Sequence, residues 1–360
     1  MTSPDLKPET RKTDSEGRQP TVAVIGSGVA GSTCAARLSQ RGFQVTVFDK
    51  GRKTGGRLAS RNREQEEFDY GAQYFTARDP LFMKRLEQCI ADESVMEWCG
   101  RFGVFKNDSF EIQEPHSTRY VAVPSMQTLS FSLLSGLDVH SSSTVTSVVR
   151  DQTTSQWTIE GLRSPFDDGA EENDHFRYGS FDFIVLNMPP PQAQVLFGHE
   201  QLPPAVMAPC WSVMVSFANP LPIIFDGATV QGSSLVWIAR DSSKPGRPEG
   251  ERWVMQASAE WSENHLEENE KVVSTSLLSD FFALTKSDPV AATFCRAHRW
   301  RYARATVPCS ERYIYNADKN IGYCGDWCGG DRIESAYLSG FALAEKITDF
   351  SSPNKLWHNL

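Results

Sequence analysis

The sequence predicts an α/β fold in two parts: a domain built on a parallel sheet, and a second, mixed α+β domain built around an antiparallel sheet. Three observations predict it. An apolar run at 22–25 breaks into Gly26-Ser27-Gly28-Val29-Ala30-Gly31 and continues as a small-residue helix, the order of a βαβ unit. Residues 321–325 read as a second strand that turns into a helix near the C terminus. Between these ends, residues 211–217, 234–239 and 253–260 alternate apolar and polar side chains, the pattern of an antiparallel sheet with one covered face.

The first turn already carries chemistry. Gly26 permits a tight turn, Gly28 lets backbone approach a pyrophosphate, and Gly31 lets the helix lie close on its strand. The helix that opens at Val29 and Ala30 directs its unpaired N–H groups and positive dipole end at those phosphates. A second strand, 44–48, ends in Asp49 and Lys50, which puts an acidic side chain where an adenosine ribose hydroxyl lies in a Rossmann-type dinucleotide site.

Bulk properties narrow the partners. The 360 residues suffice for two domains or one large discontinuous one. A net charge of -9 without a dense Lys/Arg run argues against nucleic-acid binding and leaves small molecules. The eight cysteines show no paired metal spacing, so no metal site is expected and free thiols in a reducing compartment are. Residues 1–19 lack the apolar core of a secretory signal and read as a disordered tail. With no apolar stretch of membrane-spanning length, the expectation is a cytoplasmic protein without a membrane partner. Oligomeric state is not encoded in any of these features.

Along the chain, Gly55-Gly56-Arg57 follows as a flexible basic loop whose guanidinium suits bidentate bonding to a pyrophosphate. Residues 68–76 place Gln73 and Tyr74 among small residues and aromatics, where a flat ring could be approached and hydrogen-bonded. Residues 81–99 have helical spacing, followed by short Phe/Val-rich strands and a helix near 128–134. Strands are expected at 139–150, 156–160 and 181–186, with 164–178 a long exposed acidic loop. After the three alternating strands, whose connection 241–251 reads as a mobile Pro/Gly/charge loop, a helix spans 268–284. His298-Arg299-Trp300-Arg301-Tyr302 then sets polar groups beside aromatics just before the chain returns to the first domain. In the last segment Asp331 and Glu334 have capping-box spacing ahead of an apolar helix face through Ile333, Ala336, Tyr337 and Gly340.

The glycine turn, Asp49-Lys50, Gly55-Gly56-Arg57 and Asp69-Tyr70-Gly71-Ala72-Gln73-Tyr74-Phe75, in this order and spacing, resemble the renalase family of FAD-dependent oxidoreductases, within the amine-oxidase-like flavoproteins. The resemblance runs over nearly all of residues 20–350 and is most specific at the two ends. It implies noncovalent FAD, with Val145 holding the adenine through its backbone, and Gly325-Asp326 on the ribityl or pyrophosphate region. The helix that begins around Ile333 would direct its N terminus at the flavin N1/C2 carbonyl, stabilising the anion formed on hydride acceptance. It further implies an active site including His298, Trp300, Arg301 and Tyr302, and the oxidation of 2- or 6-dihydro-NAD(P) by O2 to NAD(P)+ and hydrogen peroxide. His298 or Arg301 would supply positive charge where superoxide develops. The corresponding domains are a discontinuous FAD-binding part at 20–80, 135–195 and 316–350, and a substrate part at 81–134 and 196–315. Two other readings stay open: an amine oxidase or dehydrogenase of the same superfamily, and a nucleotide-binding sensor without turnover.

Overall fold

The computed structural model describes residues 18–350 apart from 64–65, 107–108, 114–116, 165–173, 198–201 and 203–204. All but the last two residues of the expected N-terminal tail lie outside the described residues. The strand Thr21–Ile25 runs parallel between Gln44–Phe48 and Phe183–Leu186 in a six-stranded sheet. Asp138–His140 extends it on one side, and Ile321–Tyr323 followed by Ile314–Asn316 on the other, only that last pair being antiparallel. The central strands are apolar without alternation because both faces are covered.

On one face the helices Val29–Gln40 and Ile333–Phe350 pack together. They approach so closely that a Cβ on Gly340 would overlap the Ala30 carbonyl. On the other face lies a three-stranded antiparallel layer, Ser143–Arg150, Trp157–Arg163 and Asp174–Phe181. That layer corrects the expected loop at 164–178: residues 165–173 are not among those described, but from Asp174 on the chain is a strand. Its Phe176 and Phe181 pack with Phe48, Trp157 and Ile159, apolar weight that an exposed loop would not carry.

The second sheet has seven strands, in the order Ala292–Val307, Val206–Phe217, Glu251–Ala257, Leu235–Arg240, Gly227–Val230, Phe102–Lys106, Ser109–Ile112. Only the contact between Gly227–Val230 and Phe102–Lys106 is parallel. The helix Glu270–Thr285 covers one face, burying Val273, Leu277, Phe281 and Phe282 in a cluster with Trp253.

The helix expected over 81–99 is shorter, Pro80–Ala91, with Asp79 as its N-cap. It stops where Glu93 adopts a positive φ of 60° and the Asp92 carboxylate accepts the Ser94 N–H, after which Val95–Glu97 pairs with Tyr120–Ala122. The capping box expected at 331 and 334 is replaced by longer-range bonds. Glu334 accepts the N–H groups of Arg78 and Asp79 at 2.6 and 2.7 Å, so it serves the start of the helix Pro80–Ala91, and Asp331 pairs with Arg304. No helix among the described residues is long and apolar enough to cross a membrane.

Candidate active site

A cavity of about 2040 Å³ lies where the two sheets meet, lined from the glycine turn at one end to the strand Ala292–Val307 at the other. Gly26, Gly28, Val29, Ala30, Asp49, Lys50, Gly56, Arg57, Gln73, Tyr74, Val145, Asp326, Ile333, His298, Trp300, Arg301 and Tyr302 all line it. Gly31 and Gly325 do not, and act in the packing behind it. A Cβ on Gly31 would overlap the Gly26 carbonyl, and one on Gly325 would crowd the Trp327 indole nitrogen, 2.5 Å away.

The turn is built for an anion. Gly26 takes φ 104°, a conformation that favours glycine, and its N–H donates to the Phe48 carbonyl. The helix N-cap is Gly28, which has no side chain to occupy the first free N–H groups. Asp49 reaches back to this turn: it accepts the Ser27 N–H at 2.6 Å, the Ser27 hydroxyl at 2.5 Å and the Gly51 N–H at 2.7 Å. Asn187, at the end of Phe183–Leu186, was not singled out by sequence. Its side-chain amide donates to the Gly26 carbonyl and lies against Gly28 and Gly31, and the signal available was a polar residue ending a buried strand beside the glycine turn.

The two expected nucleotide anchors meet. Arg57 donates to both oxygens of Asp326, at 2.8 and 2.5 Å, and to the Ala303 carbonyl at 3.1 Å. Sequence reasoning sets the two in separate segments of one site; the structure makes them a bidentate pair that ties the first turn to the last. Gln73 differs from expectation. Its amide nitrogen donates to the carbonyls of Asp69 and Gly71 and its oxygen accepts from Lys244, so the side chain is committed to the interior.

Lys244 is fully buried. The segment 241–251, expected to be a mobile loop, buries its ammonium completely between Asp241 at 2.5 Å and Asp69 at 3.3 Å. Arg247 also meets Asp69, at 2.5 Å. The loop is held because two aspartates and two cations compensate one another in a place where any one alone would be costly. Burial alone raises the Asp69 carboxyl, but Lys244 and Arg247 outweigh it and hold the group below the usual carboxylate range. No local pattern announces this cluster, because Asp69 and Lys244 are distant in sequence and become neighbours only in the fold.

At the far end, alternation along the strand Ala292–Val307 sorts the predicted residues. His298 and Trp300 face Tyr70: the rings of His298 and Trp300 lie 4.8 and 5.5 Å from it, and the Trp300 indole N–H donates to the Tyr70 carbonyl at 3.0 Å. Arg299 and Arg301 turn the other way and share Glu267, at 2.8 and 2.6 Å. Tyr302 lines the cavity further along the strand. Burial, with Arg296 adding to it, depresses the His298 pKa to about 4. The imidazole is therefore neutral near pH 7, which removes His298 as the expected source of positive charge, and the guanidinium of Arg301 is taken by Glu267. Burial also raises the Tyr70 phenol, against the opposing pull of Arg52, Arg61 and Arg296. The corner is aromatic and uncharged.

Comparison with known proteins agrees with the geometry at the glycine turn. Residues 24–88 match the NAD(P)-binding Rossmann-like domain family. A phytoene desaturase of Cercospora nicotianae is 49% identical over 57 residues, 16% of this chain and 9% of that protein. A 4,4'-diapophytoene desaturase of Staphylococcus haemolyticus is 44% identical over 50 residues, 14% of this chain and 10% of that protein. The chain thus matches only about a tenth of the length of these relatives. A solved structure from Exiguobacterium sp. 255-15, assigned as a protoporphyrinogen oxidase, superposes with a TM-score of 0.71 over 94% of this chain and 99% of that one, at 11% identity. The chain therefore has a mixed α/β fold with a Rossmann-like dinucleotide-binding segment, shared in overall architecture with the Exiguobacterium protein.

Proposed function

We propose that the protein is an FAD-dependent oxidase that removes hydride from a dihydropyridine nucleotide, 2- or 6-dihydro-NAD(P), in the manner of the renalase family. The observation that carries this reading is the uncharged aromatic corner of Tyr70, His298 and Trp300, on the same cavity as the glycine turn and the Arg57–Asp326 pair. The residues present fit a dinucleotide cofactor: the uncapped helix start would receive phosphate, Asp49 sits at the end of the second strand, and the start of Ile333–Phe350 reaches the cavity through Ile333. The match to desaturases covers only 57 and 50 residues and is compatible with several substrates.

FAD, when bound, supplies a hydride acceptor that molecular oxygen can regenerate. The balanced reaction is dihydro-NAD(P) plus O2 plus a proton giving NAD(P)+ and hydrogen peroxide. Loss of hydride restores an aromatic pyridinium, so no strong base is required, and the residues act by stacking and orientation. A neutral His298 is suited to this step, since an imidazolium beside the ring would oppose the positive charge developing there. The amine-oxidase alternative asks for a lysine at the reacting centre; the ammonium of Lys244 is engaged by Asp69, Asp241 and Gln73.

The test is product stoichiometry. Aerobic incubation of the flavin-loaded protein with each dihydro isomer should yield one hydrogen peroxide per NAD(P)+ formed. Peroxide production from amines but not from the dihydro isomers contradicts the proposal, as does flavin retention with no turnover of either.

A further inference from the structure

The large cavity is strongly cationic in a chain whose net charge is -9. Twelve Lys and Arg residues line it among the described residues, Arg299 and Arg301 with their guanidiniums turned to Glu267, against three aspartates, Asp49, Asp326 and Asp331. Those three are committed: Asp49 to Ser27 and Gly51, Asp326 to Arg57, and Asp331 to Arg304. One group of lining guanidiniums, among the described residues, pairs with none of these three carboxylates. Arg61 lies over the Phe294 ring at 5.1 Å, Arg52 is exposed on the loop before Gly55, and Arg296 shares the face of its strand with His298 and Trp300. All three bear electrostatically on Tyr70. Among the described residues, Arg52 and Arg61 have no ion pair, and Arg296 meets only Glu270, at 3.6 Å and half exposed.

We propose that Arg52, Arg61 and Arg296 form a phosphate-recognition collar for the substrate, so that the site selects an anionic nucleotide whose ring rests against Tyr70, His298 and Trp300. The inference rests on the hydride-donor reading of the same site. The chemistry argues for phosphate. Guanidinium groups bind phosphate oxygens bidentately and are weakly hydrated, so they retain affinity at a partly exposed rim. Their field would repel a protonated amine and attract a dinucleotide over a distance set by ionic strength. The cofactor's own pyrophosphate has another seat, at the uncapped start of Val29–Gln40. The collar's charge also offsets the phosphates where the pyridinium develops, while the residues nearest the ring remain neutral.

The test uses the flavin-loaded protein, in the wild type and in Arg52→Ala, Arg61→Gln and the double variant. Turnover is measured with a 6-dihydro-NADP isomer and with a phosphate-free N-methyl dihydronicotinamide isomer, and NADP+ binding is measured by calorimetry. The collar predicts that the wild-type preference in kcat/KM for the dinucleotide over the phosphate-free compound falls roughly 10- to 100-fold in the variants, mostly through KM. NADP+ affinity should weaken by a similar factor, and the salt dependence of dinucleotide kcat/KM should flatten. Unchanged NADP+ affinity in folded, flavin-retaining variants overturns the collar, whether or not the wild type turns over. Loss of flavin with the same substitutions also overturns it, by assigning these arginines to the cofactor. Weakened NADP+ binding together with no turnover of either dihydro compound supports the collar and defeats the hydride-donor reading.

Discussion

His298 shows how burial decides what a residue type can do. Its imidazole titrates near pH 4, because burial first and Arg296 second disfavour the charged form. In the unfolded chain a histidine takes its proton near pH 6.5. Between about pH 6.5 and 4 the unfolded state therefore binds more protons, so this group's contribution to stability falls as the pH is lowered through that window. His298→Gln should flatten that part of the stability curve, which denaturation midpoints measured from pH 7 to 4 will show; an unchanged slope contradicts a buried neutral imidazole. Lys244 makes the opposite case, a charge kept buried by its partners. Lys244→Met should cost about 3–5 kcal/mol, since it leaves two buried aspartates with one cation between them. A loss below about 1 kcal/mol in urea unfolding would show the cluster to be hydrated and weak. The resemblance of its run to the renalase family marks His298 as a site candidate, but not its charge state, which depends on burial in the fold and on Arg296.

Elements were legible where the determining contacts are local. The glycine turn, the helix Val29–Gln40 and the strand Gln44–Phe48 follow one another in sequence, so apolar runs and glycines suffice to place them. The strand Asp174–Phe181 was hidden because its apolar residues find partners in Phe48 and Trp157, far away in the chain. The long strand Ala292–Val307 was visible as a run of motif residues and not as a strand, since Arg296 falls on one face and Arg299 and Arg301 on the other, masking the alternation. Likewise the segment 241–251 has the composition of a loop, and only the fold reveals the partners that bury Lys244 and Arg247. The crossing of Val29–Gln40 and Ile333–Phe350 gives an element-scale prediction. Gly340→Ala forces a Cβ into the Ala30 carbonyl and should cost roughly 1–3 kcal/mol while lowering cofactor retention, because the displaced helix carries Ala30 and the N–H groups at the turn. Wild-type stability and flavin content in that variant would mean that the helices can separate without disturbing the turn.

At the scale of the whole molecule, a parallel sheet supplies one wall of the cavity and a seven-stranded sheet the other. The Arg57–Asp326 pair joins residues far apart in the chain, and the hydrogen bond from Trp300 to Tyr70 ties the seven-stranded sheet to the residue that follows the strand Glu66–Asp69. Hydride transfer is expected to occur between those two ties, where the aromatic corner is neutral and the rim is cationic. Hydride acceptance by the flavin can be read from colour. The flavin-loaded protein is mixed without oxygen with 2- and 6-dihydro-NAD(P), with ordinary NADH and with a panel of amines, and the visible flavin absorbance is followed. Rapid bleaching by a dihydro isomer, with recovery on admitting oxygen, is the predicted result; bleaching by amines alone, or a protein that binds no flavin, would contradict it.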